Sequence, residues 1–175
     1  EALAIYQKAA LPDEQIATLN AIGATFQEMG SYEQATASFK AAVALLTSET
    51  NPVNAVETYA NLGKLYRAVH DYDASLTAYQ QAVDQVRKVG DQAGEAKQLI
   101  NLGVVHSDLG QYEDAQKEYE AAATLAETLQ DEDLQARVLY SLGKVYRDTS
   151  QYELALEVLQ EALAIQQRVG DQGAE

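Results

Sequence analysis

Two glycine–lysine steps invite a chemical reading: Gly63-Lys64 within "NLGKLYRAVHDYDASL" (61–76) and Gly143-Lys144 within "SLGKVYRDTSQYELAL" (141–156). A glycine that lets the backbone approach an anion, followed by a lysine, is the chemistry of a phosphate-binding loop. That loop needs a glycine-rich turn leading out of a strand, so that several N–H groups converge on the phosphate. No strand pattern precedes either step. A third related stretch, "NLGVVHSDLGQYEDAQ" (101–116), stands midway between the two, so the steps belong to a period and not to a loop.

The remaining chemistry-bearing residues are equally unsupportive of catalysis. His70 and His106 lie at different phases of that period, with no partner at metal-ligand spacing. His106 takes the place held by Phe26, Tyr66 and Tyr146, which predicts a packed core residue. The chain has no cysteine, which excludes thiol catalysis, disulfides and cysteine-ligated zinc. No nucleophile motif is present. The acidic pairs Asp91/Glu95 and Asp131/Asp133 fall near helix starts, where negative charge complements the helix dipole. A calcium loop would need oxygen ligands at alternate places around a central glycine, and these pairs lack that pattern. The expectation is a chain without catalytic residues, metal or cofactor.

The elements that position these residues repeat every forty residues. Glycines recur at 23, 63, 103 and 143, preceded by Ile22, Leu62, Leu102 and Leu142, and tyrosines recur at 32, 72, 112 and 152. Each period reads as two amphipathic helices. In the second, Pro52 suits a first helical position after Asn51, and Tyr59, Leu62, Tyr66 and Val69 recur on one face. A break at His70-Asp71 precedes a second run with Tyr72, Leu76, Tyr79 and Val83 inward, and Gly90 suits a C-cap. The predicted helices are roughly 54–69 and 73–89. A mid-helix glycine costs about 1 kcal/mol relative to alanine. Its recurrence predicts a close helix contact, with Ala35, Ser75, Ala115 and Ala155 at the matching place on the second helix. The array divides into a partial second helix of a preceding repeat (1–11) and four repeats at 12–51, 52–91, 92–131 and 132–175.

Composition agrees with an all-α, soluble class: 47% hydrophobic, 22% charged and only two prolines in 175 residues. No run approaches 18 apolar residues, so no membrane span is expected. The net charge of −15 disfavours nucleic acid and anionic membranes as partners through long-range repulsion. The chain opens on Glu1 without a methionine, which reads as a processed or trimmed piece, and the expected compartment is the cytoplasm.

The order Leu19, Ile22-Gly23, Phe26, Gly30-Ser31-Tyr32, Ala35, Phe39, Ala42, repeated as Leu99, Leu102-Gly103, His106, Gly110-Gln111-Tyr112, Ala115, Tyr119, Ala122, resembles the tetratricopeptide repeat. The resemblance covers essentially the whole chain. It implies a right-handed superhelical solenoid of antiparallel helix pairs. Two departures stand out. The family's frequent early tryptophan is replaced by Leu19, Tyr59, Leu99 and Leu139, and its terminal proline by Thr47, Arg87, Glu127 and Gln167. The second departure lets the second helix run an extra turn or two. This long form is similar to the repeats of Pins-type adaptors, kinesin light chains and bacterial regulatory proteins.

In such a solenoid the first helices line a concave groove. At about 100° per residue, positions 57, 60, 61, 64, 67 and 68 lie opposite the predicted core face. Their counterparts across the repeats contain six cations (Lys64, Arg67, Lys97, Arg137, Lys144, Arg147) and four carboxylates (Glu28, Glu57, Asp108, Asp148). Half of the chain's twelve basic residues therefore share one face. Lys144 and Asp148 are also spaced for an ordinary surface pair, which contributes little. Ser107 and Ser141 fall on the same arc. The expected peptide-binding set is Asn20, Asn61, Lys64, Arg67, Lys97, Asn101, Arg137, Tyr140, Lys144 and Arg147. The resemblance implies that Asn61 and Asn101 hold a ligand backbone, while the arginines suit carboxylates. The chaperone-tail carboxylate clamp of shorter family members is not matched, since repeat one has Asn20 and Ala24 where that clamp has lysine and asparagine.

The expected partner is thus a protein or peptide segment bearing acidic side chains or a free carboxylate. Two alternatives remain. "EALAI" recurs at 1–5 and 161–165, and the last helix, with Leu154, Leu156, Val158, Leu159, Leu163, Ile165 and Val169, is unusually apolar for the end of an array. That pattern fits either a cut through a longer array or head-to-tail self-association through the ends. The array could equally regulate an enzyme domain of a larger protein.

Overall fold

The computed structural model describes residues 11–172, and among them every regular element is helical. In chain order these are α1 (Pro12–Glu28), α2 (Tyr32–Val43), α3 (Pro52–Ala68), α4 (Tyr72–Val89), α5 (Gln92–Asp108), α6 (Tyr112–Leu129), α7 (Glu132–Asp148) and α8 (Tyr152–Gln172). The helix fragment expected at 1–11 lies, apart from Leu11, outside the described residues.

Local chemistry explains the boundaries. Pro12 and Pro52 occupy the first turn, where no intrahelical N–H is lost. The Asn51 side chain accepts from the Val53 N–H at 3.0 Å. Asp71, Asp91 and Asp131 accept from the N–H groups of Ala74, Gly94 and Leu134 at 3.2, 2.8 and 3.0 Å. Asp91 and Asp131 therefore cap helices, each worth about 1 kcal/mol.

The corner between the two helices of each repeat is one motif used four times. Gly30, His70, Gly110 and Ser150 all take positive φ, at 73, 61, 72 and 62°. The next residue's N–H returns to the carbonyl five residues back, as from Ser31 to Phe26 (2.8 Å) and from Gln151 to Tyr146 (2.7 Å). The carbonyls orphaned at the helix end are thereby satisfied. Gly90 and Gln130 also take positive φ, 71 and 54°, at the ends of α4 and α6, and after Gln130 the Asp131 N–H returns to the Ala126 carbonyl at 3.0 Å. Gln130 pays a left-handed penalty that Gly90 avoids. Replacing Gln130 with glycine should therefore stabilise the chain by about 0.5–1 kcal/mol, read as a raised midpoint in urea unfolding. An unchanged or lowered midpoint would mean that the Gln130 side chain compensates for its backbone.

Two compact units divide the chain, one up to Gly90 and one from Asp91. In the first, α1 packs on α2, α2 on α3 and α3 on α4, with α1 beside α3. In the second, α5, α6, α7 and α8 repeat that order, with α5 beside α7. The recurrent glycine is the tightest point of each pair. A Cβ built on Gly23, Gly63 or Gly103 would come within 2.5, 2.8 or 2.5 Å of the ring of Phe39, Tyr79 or Tyr119, and one on Gly143 within 2.5 Å of Leu159. The expected close contact is present, but its partner is the large side chain one turn beyond Ala35, Ser75, Ala115 and Ala155. Those four are buried alongside, and the Ser75 hydroxyl donates to the Gly63 carbonyl at 2.7 Å.

Two sequence expectations need correction. The core face of α3 is Ala55, Thr58, Leu62 and Leu65, whereas Tyr59 and Tyr66 are half-buried and Val69 is 43% exposed. Val69 lies past the last helical residue, so it no longer follows the helical phase. Secondly, α2 spans 12 residues where α4 and α6 span 18. Its extension is cut off in "LTSETNP", where the Thr50 hydroxyl accepts from the Thr47 N–H (2.8 Å) and the Thr47 hydroxyl from the Glu49 N–H (3.2 Å). Such local bonds compete with the helix, and Pro52 biases Asn51 away from it.

Candidate functional site

The faces of α3, α5 and α7 that point away from the core carry the cations singled out in the sequence. Within the first unit Lys64 is exposed on α3 and has no ion-pair partner among the described residues. Asn61 and Arg67 are half-buried beside it. Arg67 faces partly inward, because its charge acts on the Tyr79 hydroxyl. Burial pushes that hydroxyl up to about 12, with the Arg67 guanidinium pulling weakly the other way.

Asn20 does not belong to an open face. It is fully buried, its amide donating to the Thr58 hydroxyl at 2.9 Å. Thr58 in turn gives its proton to the Asn54 carbonyl at 2.7 Å. The arc that holds Asn20 is the flank where α1 meets α3, so it is a polar tie between helices and not a ligand contact. Most buried polar groups in folded proteins are paired in this way.

In the second unit Lys97 on α5 and Arg137 and Lys144 on α7 are exposed, with no ion-pair partner among the described residues. Tyr140 is 55% exposed among them. Asn101 is half-buried and donates to the Gln98 side-chain carbonyl at 3.1 Å. Arg147 is engaged: its Nε and Nη2 reach one Asp148 carboxylate oxygen at 3.0 and 2.8 Å. The pair expected between Lys144 and Asp148 is thus made by Arg147 instead, which leaves Lys144 open. Ser141 is buried and donates to the Arg137 carbonyl at 2.9 Å, and the Ser107 hydroxyl is buried with no partner among the described residues. Both serines lie on the flanks of the arc, where neighbouring turns and helices close over them.

His106 is half-buried rather than in the core, and its Nδ1 lies 2.8 Å from the Gln111 side-chain oxygen across the corner. His70 makes a similar contact, 2.8 Å from the Tyr72 hydroxyl. Both histidines brace corners. Among the described residues no group of three or more His, Cys, Asp or Glu side chains is placed to hold a metal ion. None of the described helices is long and apolar enough to cross a membrane.

These features define an all-helical repeat array. The tetratricopeptide repeat model matches residues 14–88, 54–128 and 95–168, and the chain belongs to the tetratricopeptide repeat family. No curated protein matches the chain in sequence. Among solved structures, BtubC (BKLC) from P. vanneervenii is similar with a TM-score of 0.82 at 20% identity, over 95% of this chain and 70% of that one. A signal transduction ATPase with numerous domains from Pyrococcus horikoshii, which has a tetratricopeptide repeat sensor, is similar with a TM-score of 0.84 at 18% identity. The match covers 93% of this chain but only 25% of that protein. The Rap conjugation gene regulator of plasmid pLS20, solved in complex with a Phr peptide, is similar with a TM-score of 0.76 at 18% identity, over 90% of this chain and 44% of that one. At these identities the likeness is one of fold.

Proposed function

We propose that this chain is a non-catalytic peptide-binding module whose ligand is an acidic segment, or one ending in a free carboxylate, held on the α5–α7 face. One observation carries the reading. Lys97, Arg137 and Lys144 stand open on adjacent helices of one unit, in a chain of net charge −15. Charges that make no internal pair contribute little to the fold, so their grouping on one face calls for an external anion. Asn101 and Tyr140 between them offer hydrogen bonds to a peptide backbone. Lys64 on α3 forms a smaller patch of the same kind in the first unit. That a Rap relative is solved with a peptide agrees with this reading. The cytoplasm is the compartment we assign to the module.

The test is a triple charge reversal, Lys97→Glu, Arg137→Glu and Lys144→Glu, which leaves the engaged Arg67 and Arg147 untouched. A fluorescein-labelled peptide of alternating Asp and Leu with a free C-terminal carboxyl serves as probe in anisotropy titrations. Affinity should fall by at least about tenfold with helicity unchanged, and binding to the parent chain should weaken as salt rises. Equal affinity of parent and variant would reject the face.

A second reading has a specific observation behind it. Leu156 and Leu163, seven residues apart on one side of α8, are 60 and 53% exposed, an apolar stripe suited to self-association or to stacking by another helix. Sedimentation of the parent and of Leu156→Glu/Leu163→Glu tests it: a concentration-dependent oligomer abolished by the variant supports end contacts. Monomer at all concentrations removes self-association.

A further inference from the structure

An open cleft of about 470 Å³ lies within the first unit, whereas the residues of the proposed peptide face belong to the second. Its floor is apolar, made by Val43 of α2, Leu62 of α3 and Ala78 of α4, and Tyr59 and Tyr66 form its walls. Lys40 is an exposed part of the lining, and its ammonium group makes no ion pair or hydrogen bond among the described residues. None of the lining residues is a carboxylate, in a chain with 27 of them.

The internal repeat supplies a control for this site. Eighty residues on, the same positions between α6, α7 and α8 are Glu120, Ala123, Leu139, Leu142, Tyr146, Leu154, Glu157, Val158 and Glu161. Five of the exchanges between the two places bear on ligand binding. Ala74 and Ala78 in the first unit correspond to Leu154 and Val158 in the second, which removes the bulk that would fill the cleft. Lys40, Thr77 and Gln81 correspond to Glu120, Glu157 and Glu161, which removes every carboxylate and adds one cation. Past the early end of α2 at Val43, a neighbouring depression of about 580 Å³ shares Tyr59 with the cleft and includes Lys88 in its lining.

We infer that this cleft binds a small amphipathic monoanion, an aromatic or aliphatic acid whose apolar body lies between Tyr59 and Tyr66 while its acid group pairs with Lys40. The volume suits such a ligand, since small-molecule sites run to about 300–1,000 Å³. Aromatic rings supply apolar area with hydroxyls at the edge. An open lysine supplies a point charge that needs no fixed angle. The inference is independent of the peptide-binding reading, because none of these residues lies on the α5–α7 face.

The probe is 8-anilinonaphthalene-1-sulfonate, an aromatic monoanion that fluoresces when shielded from water, titrated into the whole chain at neutral pH. The parent should bind one equivalent. Ala74→Leu/Ala78→Val, which copies the second unit, should fill the cleft and weaken binding at least about tenfold. Lys40→Glu, an exposed change that copies Glu120, should weaken it by a similar factor, while Lys40→Arg retains binding. Leu156→Glu/Leu163→Glu on α8 should leave it unchanged. No binding to the parent overturns the inference, as does binding that survives both cleft variants. Loss of binding in the α8 variant alone overturns it too, by moving the probe to the exposed leucines.

Discussion

Replacing Gly103 with alanine is expected to destabilise the chain by about 2 kcal/mol, although alanine is the better helix former. The new methyl would stand 2.5 Å from Cε1 of Tyr119, a ring that is 2% exposed and has nowhere to go. Overpacking a fixed site costs about 3 kcal/mol at the upper end of the usual range, and the propensity gain of about 1 kcal/mol offsets only part of it. Gly170 provides the opposite case. It lies in α8 with nothing within 4 Å of a built Cβ. Gly170→Ala should therefore stabilise the chain, by up to about 1 kcal/mol and less if the helix end frays. Urea unfolding followed by circular dichroism compares the two. If Gly103→Ala raises the midpoint as Gly170→Ala does, the recurrent glycine is not a steric requirement and the packing account of the repeat fails.

Alkaline pH should weaken the fold through Tyr79. Burial of its hydroxyl, only partly countered by the Arg67 charge, raises its pKa from 10.0 to about 12. The folded state thus holds the proton more tightly than the unfolded chain. The associated stability is fully present below pH 10 and is lost as pH rises from about 10 to about 12. The total approaches roughly 2–3 kcal/mol, with about 1 kcal/mol gone by pH 11. Tyr79→Phe isolates this group from every other titration, and Phe39 at the equivalent place indicates that the ring packs without its hydroxyl. Between pH 8 and pH 11 the parent should lose about 1 kcal/mol more stability than Tyr79→Phe. Equal losses would mean that the hydroxyl is not desolvated.

The period made most of the fold legible. Glycine and tyrosine recurrences located the helix pairs, and Pro52, Asp91 and Gly90 marked their ends through chemistry that acts within a few residues. What escaped depended on side-chain direction or on neighbouring helices. Asn20 looked like a groove residue because a single helix has only an inside and an outside, whereas a stacked helix also has flanks. On such a flank Asn20 meets Thr58, 38 residues away. The pairing of Arg147 with Asp148 was hidden because adjacent residues on a helix do not face each other, yet a long guanidinium can fold back. The cleft beside Lys40 needed three helices to be placed at once. Its one sequence trace was already there, in the exchange of Glu120, Glu157 and Glu161 for Lys40, Thr77 and Gln81.

The four corners at Gly30, His70, Gly110 and Ser150 carry a consequence for how such a chain can drift over generations. Each corner closes through main-chain bonds and asks its central residue only to tolerate positive φ. A glycine, a histidine and a serine all meet that demand, at differences of about 1 kcal/mol. The glycine 40 residues apart in each first helix has no such latitude, since it faces a ring or a leucine at contact distance. Random substitution should therefore be absorbed at the corners and purged at the glycine steps. A library of single variants selected for folding would show this as broad tolerance at 70 and 150 beside near-invariance at 63 and 103.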